Sequence, residues 1–126
     1  MAASSAGFHE PLDQLKPETL NIHRAIVSLM EELEAIDWYR QRADACSDDQ
    51  LKAILEHNMN EEIEHASMVL EWLRRNVPKI GEALKTYLFT TGDVTNLEEA
   101  VVGDEAAAKA NGQHRPRTTV GDMKGR

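Results

Sequence analysis

Apolar residues fall into a helical rhythm at Ile22, after which Ile26, Leu29, Leu33 and Ile36 return at spacings of four and three. With about 3.6 residues per turn, that period puts all five along one face and predicts an amphipathic helix from Pro17 to roughly Ala43. Pro17 suits a first helical turn, where its missing N–H costs nothing, and Glu18 sits beside the positive end of the helix dipole. The stretch Cys46-Ser47-Asp48-Asp49 breaks the rhythm and offers Ser47 or Asp48 as the next N-cap. A second stripe, including Leu51, Leu55, Ala66, Val69 and Leu73, predicts a helix from about Asp49 to Asn76, stopped ahead of Pro78. A short third helix is expected near Ile80 to Phe89, before the break at Thr91-Gly92-Asp93.

The flanks carry no such period. Residues 1–16 are small, polar and aperiodic, and are expected to form a flexible arm ahead of a helical domain at 17–97. Beyond Leu97 an alanine- and glutamate-rich stretch gives way, from Ala110, to Gly, His, Arg and Pro, so residues 98–126 read as a flexible linker and tail. The fold class is therefore all-α. Two long helices present more apolar surface than one hairpin hides, and helical bundles usually solve this with four. Two copies of the hairpin, paired as a dimer, would supply them.

One residue spoils the second stripe. On a helical wheel Glu62 lies within about 20° of the line through Leu55, Ala66 and Val69. A buried, unpaired carboxylate would cost several kcal/mol or take up a proton, so something must compensate it. His65 follows three residues later on nearly the same face, completing a Glu-x-x-His pair of the kind that holds two metal ions in carboxylate bundles. On its own this pair recurs by chance in glutamate-rich helices; its place inside the stripe singles it out. The first helix supplies a match in Glu32, about 60° from Leu29, with Tyr39 two turns further on near the same line. Trp38 faces away from the stripe. A complete two-metal centre takes one glutamate from each of two helices and a Glu-x-x-His pair from each of two others. This chain holds one of each, so two copies would hold the whole set. Glu61 and Glu64 read as solvated carboxylates and His57 as a surface histidine within a turn of Glu61. Glu31 and Glu34 read either as helix-face charge near Arg40 and Arg42 or as a transit site for cations.

Composition narrows the classes. A formal charge of -8, from 22 acidic and 14 basic residues, disfavours nucleic acid and anionic membranes as partners and suits the collection of cations. Cys46 is the single cysteine, which rules out an intrachain disulfide and a thiolate metal cage and fits a reducing cytoplasm. No apolar run reaches the length of a membrane span, and the N-terminus lacks the pattern of a signal peptide.

From His9-Glu10-Pro11-Leu12 to about Leu97 the sequence resembles the encapsulated ferritins, the ferritin-like cargo of encapsulin nanocompartments. The resemblance is carried by His23-Arg24-Ala25-Ile26-Val27-Ser28, Met30-Glu31-Glu32-Leu33-Glu34-Ala35, Asp37-Trp38-Tyr39, Glu61 to His65, Leu70-Glu71-Trp72-Leu73-Arg74-Arg75-Asn76 and Thr86-Tyr87-Leu88-Phe89. It implies a ferritin-like half-bundle of two antiparallel helices, completed to four by a metal-bridged dimer, with five dimers in a ring. It implies a di-iron centre on Glu32, Glu62 and His65 of both chains with Tyr39 close by. An outer, secondary metal site at Glu31 and Glu34, open to calcium or another divalent cation, is implied too, with Trp38 guarding the route inward. The tail Thr118-Thr119-Val120-Gly121-Asp122-Met123-Lys124-Gly125-Arg126 resembles the docking peptides of encapsulin cargo, which implies a shell protein as partner and a cytoplasmic nanocompartment as location.

The reaction expected is oxidation of Fe²⁺ to Fe³⁺ by dioxygen, since anionic oxygen ligands favour the higher iron charge. The alternative is a helical bundle that binds divalent cations and turns nothing over. A rubrerythrin-like peroxidase would need a set of cysteines that Cys46 alone does not provide.

Overall fold

The computed structural model describes residues 7–98. The chain divides into two compact units that part between Asn76 and Val77. The first is a helical hairpin of α1, Pro17–Ala45, and α2, Asp49–Asn76, packed side by side. Each is roughly 40 Å long at about 1.5 Å per residue. Neither has a glycine or an internal proline to interrupt it, and each end has a physical cause. Pro17 occupies the first turn of α1 behind an extended Lys16. At the far end the Cys46 N–H donates to the Ala43 carbonyl and the backbone turns. Asp48 then starts α2, its Oδ1 accepting from the Leu51 N–H at 2.9 Å, so Asp48 is the N-cap. Asn76 closes α2 by donating its side-chain amide to the Trp72 carbonyl at 2.8 Å, just before Pro78 restricts Val77 to an extended backbone.

Ahead of α1, residues 7–16 follow a defined path with a 3₁₀ turn at Leu12–Gln14, and the Phe8 ring lies 4.3 Å from that of His23. The second unit contains α3, Pro78–Tyr87. It starts and stops two residues earlier than the sequence pattern suggests, because Pro78 itself serves as the first helical residue. The chain leaves α3 through Leu88 and Phe89, the latter in the left-handed region at φ 59°, and becomes helical again over 94–98. The segment from 99 onward, with most of the expected linker, lies outside the described residues.

The hairpin has almost no closed interior. Among its described residues, the buried apolar side chains are Ala43, Ala66 and Leu73. Ile26 and Leu33, members of the first stripe, and Leu51 of the second remain exposed, with Leu33 54% accessible. Two cylinders touch along a narrow seam, and a stripe wider than that seam stays in solvent unless another surface covers it. Ile54, Ile63 and Met68 are exposed as well. No helix among the described residues is long and apolar enough to cross a membrane.

Candidate metal centre

Glu32 and Glu62 stand fifteen residues before and after Ser47, the middle of the turn, so an antiparallel hairpin brings them level. His65, one turn further along α2, leans back over the same spot, because helical side chains point toward the N-terminus of their helix. The result is a trio from two helices. His65 Nδ1 lies 3.5 Å from both Glu32 Oε2 and Glu62 Oε1. One donor atom from each of the three residues falls within 4.8 Å of the other two. Carboxylate and imidazole donors sit about 2 Å from a transition-metal ion, which puts any two around one ion about 4 Å apart or less. Small rotamer changes would close the trio on a cation.

The electrostatics of the trio call for positive charge. Glu32 Oε2 is buried and accepts no hydrogen bond. A proton shared with the Glu62 carboxyl raises the Glu32 pKa above its ordinary value, burial and repulsion from the Glu62 charge add to the effect, and His65 opposes it. Two like charges held this close are relieved either by a proton or by a metal ion. An unpartnered buried oxygen beside a second carboxylate and an imidazole fits a hard or borderline divalent cation such as Fe²⁺. The Glu32 and Glu62 side chains are 25% and 24% exposed and His65 is 45% exposed, so the trio opens on one flank.

The other candidate residues fall elsewhere on α1 and α2. Glu31 is exposed and Glu34 partly buried, and neither belongs to the trio. His57 and Glu61 form a surface pair at 3.5 Å. Trp38 is exposed, and Tyr39, partly buried, is its neighbour on α1. Sequence reasoning assigned nothing to Arg42 beyond helix-face charge, yet its guanidinium carbon lies 5.9 Å from the Trp38 ring centroid and 5.3 Å from that of Tyr39. Its spacing of three and four residues from the two aromatics was the available signal. Cys46 Sγ lies 3.5 Å from the Asp48 carbonyl, inside the turn. Residues Thr118–Arg126 lie outside the described residues.

The EncFtn-like family model matches residues 7–91. The chain is 55% identical to an encapsulated ferritin-like protein of Rhodospirillum rubrum, over 99% of this chain and 93% of that one. It is 50% identical to a ferritin-like protein of Thermotoga maritima, covering 76% and 84% of the two chains, and 31% identical to the encapsulin nanocompartment cargo protein EncC of Myxococcus xanthus, covering 93% and 95%. A crystal structure of a protein from Nitrosomonas europaea superposes with a TM-score of 0.68 at 56% identity, over 70% of this chain and 97% of the other.

Proposed function

The chain belongs to the EncFtn-like family of encapsulated ferritin-like proteins, and we propose that it is a ferroxidase whose two-iron site forms between two copies of the chain. The observation that carries this reading is the half-set of ligands: Glu32, Glu62 and His65 converge on one point that is open on one flank. A second copy, related by a two-fold axis, would add the same three residues and complete the arrangement found in carboxylate-bridged bundles. The exposed Ile26, Leu33, Ile63 and Met68 support the same pairing, since a hairpin that leaves such side chains in water gains by covering them.

Iron is the substrate in this scheme, each Fe²⁺ giving one electron to dioxygen. Glu32 and Glu62 supply the anionic oxygens that stabilise the higher charge of the product. Glu32 must be ionised to act as a ligand, so cation binding competes with the proton that the Glu62 carboxyl and burial favour on it. His65 donates one ring nitrogen per iron and leaves coordination positions free for water or dioxygen. Tyr39 stands by as a hydrogen-bonding neighbour. We place Glu31 and Glu34 at an outer site that takes calcium or another divalent cation on the way in, with Trp38 beside the route. Since one relative is an encapsulin cargo protein, the oxidised iron is assigned to storage inside a shell in the cytoplasm, with Thr118–Arg126 as the docking peptide and ring-forming dimers as the cargo.

Oxygen uptake on adding Fe²⁺ tests the proposal. The protein should consume oxygen faster than a protein-free control, and Glu32→Ala and Glu62→Ala should each abolish the difference. Iron binding without any acceleration would identify the chain as a cation-buffering bundle instead.

A further inference from the structure

We propose that Arg42 is a positioning residue that locks Trp38 and Tyr39 together and so sets how readily Fe²⁺ reaches the metal centre. The inference rests on the ferroxidase reading above. Trp38 and Tyr39 are adjacent on α1, and Arg42 follows at spacings of four and three, so its side chain reaches both rings from one rotamer. Its guanidinium carbon is 5.9 Å from one ring centroid and 5.3 Å from the other, inside the roughly 6 Å range over which a cation is attracted to an aromatic face. Other arginines of the chain use their charge on different partners. Arg74 and Arg75 both hold Glu71, at 2.7 and 2.6 Å, and Arg24 donates to Asn21 at 2.7 Å. Arg42 also lies in the last turn of α1, where the helix dipole favours a cation.

The clamp acts on the site through the two rings. A guanidinium within cation–π reach of both rings restricts their rotamers, holding Trp38 beside the cation route proposed above and Tyr39 near the line of Glu32. Releasing the clamp should therefore ease the approach of iron without altering the ligands.

Arg42→Met keeps the aliphatic bulk and removes the cation; Arg42→Lys keeps a charge without the planar guanidinium. Arg42→Met should lower the Fe²⁺ concentration giving half-maximal oxygen uptake by about two- to fivefold, the scale of an exposed cation–π contact, and leave the saturating rate within about twofold. Arg42→Lys should fall between it and wild type. In a Trp38→Leu background the effect of Arg42→Met should shrink to less than half, because the residue acts through the ring. The same shift with and without Trp38 would overturn the proposal in favour of plain charge repulsion, and no shift in either background would overturn it outright. Acrylamide quenching of Trp38 fluorescence, in iron-free protein carrying Trp72→Phe, gives a readout independent of turnover. Quenching should rise in Arg42→Met, and unchanged quenching would refute the clamp. A wild-type protein that fails to oxidise iron refutes the ferroxidase reading alone, because the quenching result stands separately.

Discussion

Replacing Glu62 with Gln should stabilise the metal-free protein while destroying the metal site. The amide has the shape of the carboxyl group, carries no charge and can donate to the buried Glu32 Oε2, which has no hydrogen-bond partner in the native hairpin. Leaving a buried acceptor unpaired costs about 1–3 kcal/mol, and the open flank of this site argues for the lower end, about 1 kcal/mol. For a domain of this size that corresponds to a rise in Tm of about 4 °C or more. The pH dependence follows from the direction of the Glu32 shift. Its native pKa lies above the ordinary value of 4.5, so between those two values the folded chain holds more protons than the unfolded one. Stability of the wild-type apo protein therefore falls as pH rises through that window, and the loss is complete above the raised pKa. In Glu62→Gln the window closes, so its advantage should be absent near pH 4 and greater at pH 7.5. Glu71, held at about 2 by hydrogen bonds from Arg74 and Arg75, contributes the opposite trend at lower pH, but equally in both proteins, and cancels in the difference. The assay is thermal unfolding in EDTA at both pH values, paired with Co²⁺ titration as a non-oxidising probe. Co²⁺ affinity should drop at least about tenfold, the loss expected from one ligand or more. Equal Tm values at pH 7.5, or an advantage that is greatest at pH 4, would refute the assignment of Glu32 and Glu62 as a repelling pair.

Asp48→Ala should lower stability by about 1 kcal/mol through loss of the N-cap bond to the Leu51 N–H, seen as a lower urea midpoint with an unchanged slope. Glu31→Ala combined with Glu34→Ala should remove weakly bound divalent ions and change the rate of iron oxidation while leaving the two-iron stoichiometry intact; loss of the two-iron centre would contradict an outer site. Deleting residues after Arg117 should abolish co-purification with an encapsulin shell and leave oxygen uptake unchanged, whereas unaltered packaging would reject the docking role of Thr118–Arg126.

Most of the hairpin is legible in the sequence because its signals are local. Pro17, Asp48 and Pro78 fix helix ends by covalent geometry or by a single hydrogen bond, and the observed α1 and α2 begin where those residues direct. The trio is legible for a related reason. Glu62 interrupts an apolar stripe, His65 shares its face, and Glu32 is level with Glu62 once the turn is centred on Ser47. Periodicity says which residues share a face, but not how much of that face a partner covers. Leu33 and Leu51 belong to their stripes and still stand in solvent, since burial depends on the width of the seam between α1 and α2. The left-handed backbone at Phe89 has no local signature, because a bulky residue disfavours that region and only its surroundings can impose it. Arg42 was obscured by its charge. In an acidic chain a carboxylate partner is the natural expectation, and the choice of two ring faces becomes visible only with the side chains placed.

The central claim is that one chain carries half of a two-iron site and iron joins the halves. Native mass measurement across an anaerobic Fe²⁺ titration tests it most directly, because it counts chains and metal in the same particle. A ligand set that exists only in the paired state should shift the equilibrium toward that state by mass action. Iron should therefore appear in species with an even number of chains, at two site-bound ions per pair, with the single-chain species declining in step. Glu62→Ala should show neither the ions nor the shift. Single chains that each hold their own iron, with no change in the distribution of masses, would contradict the account.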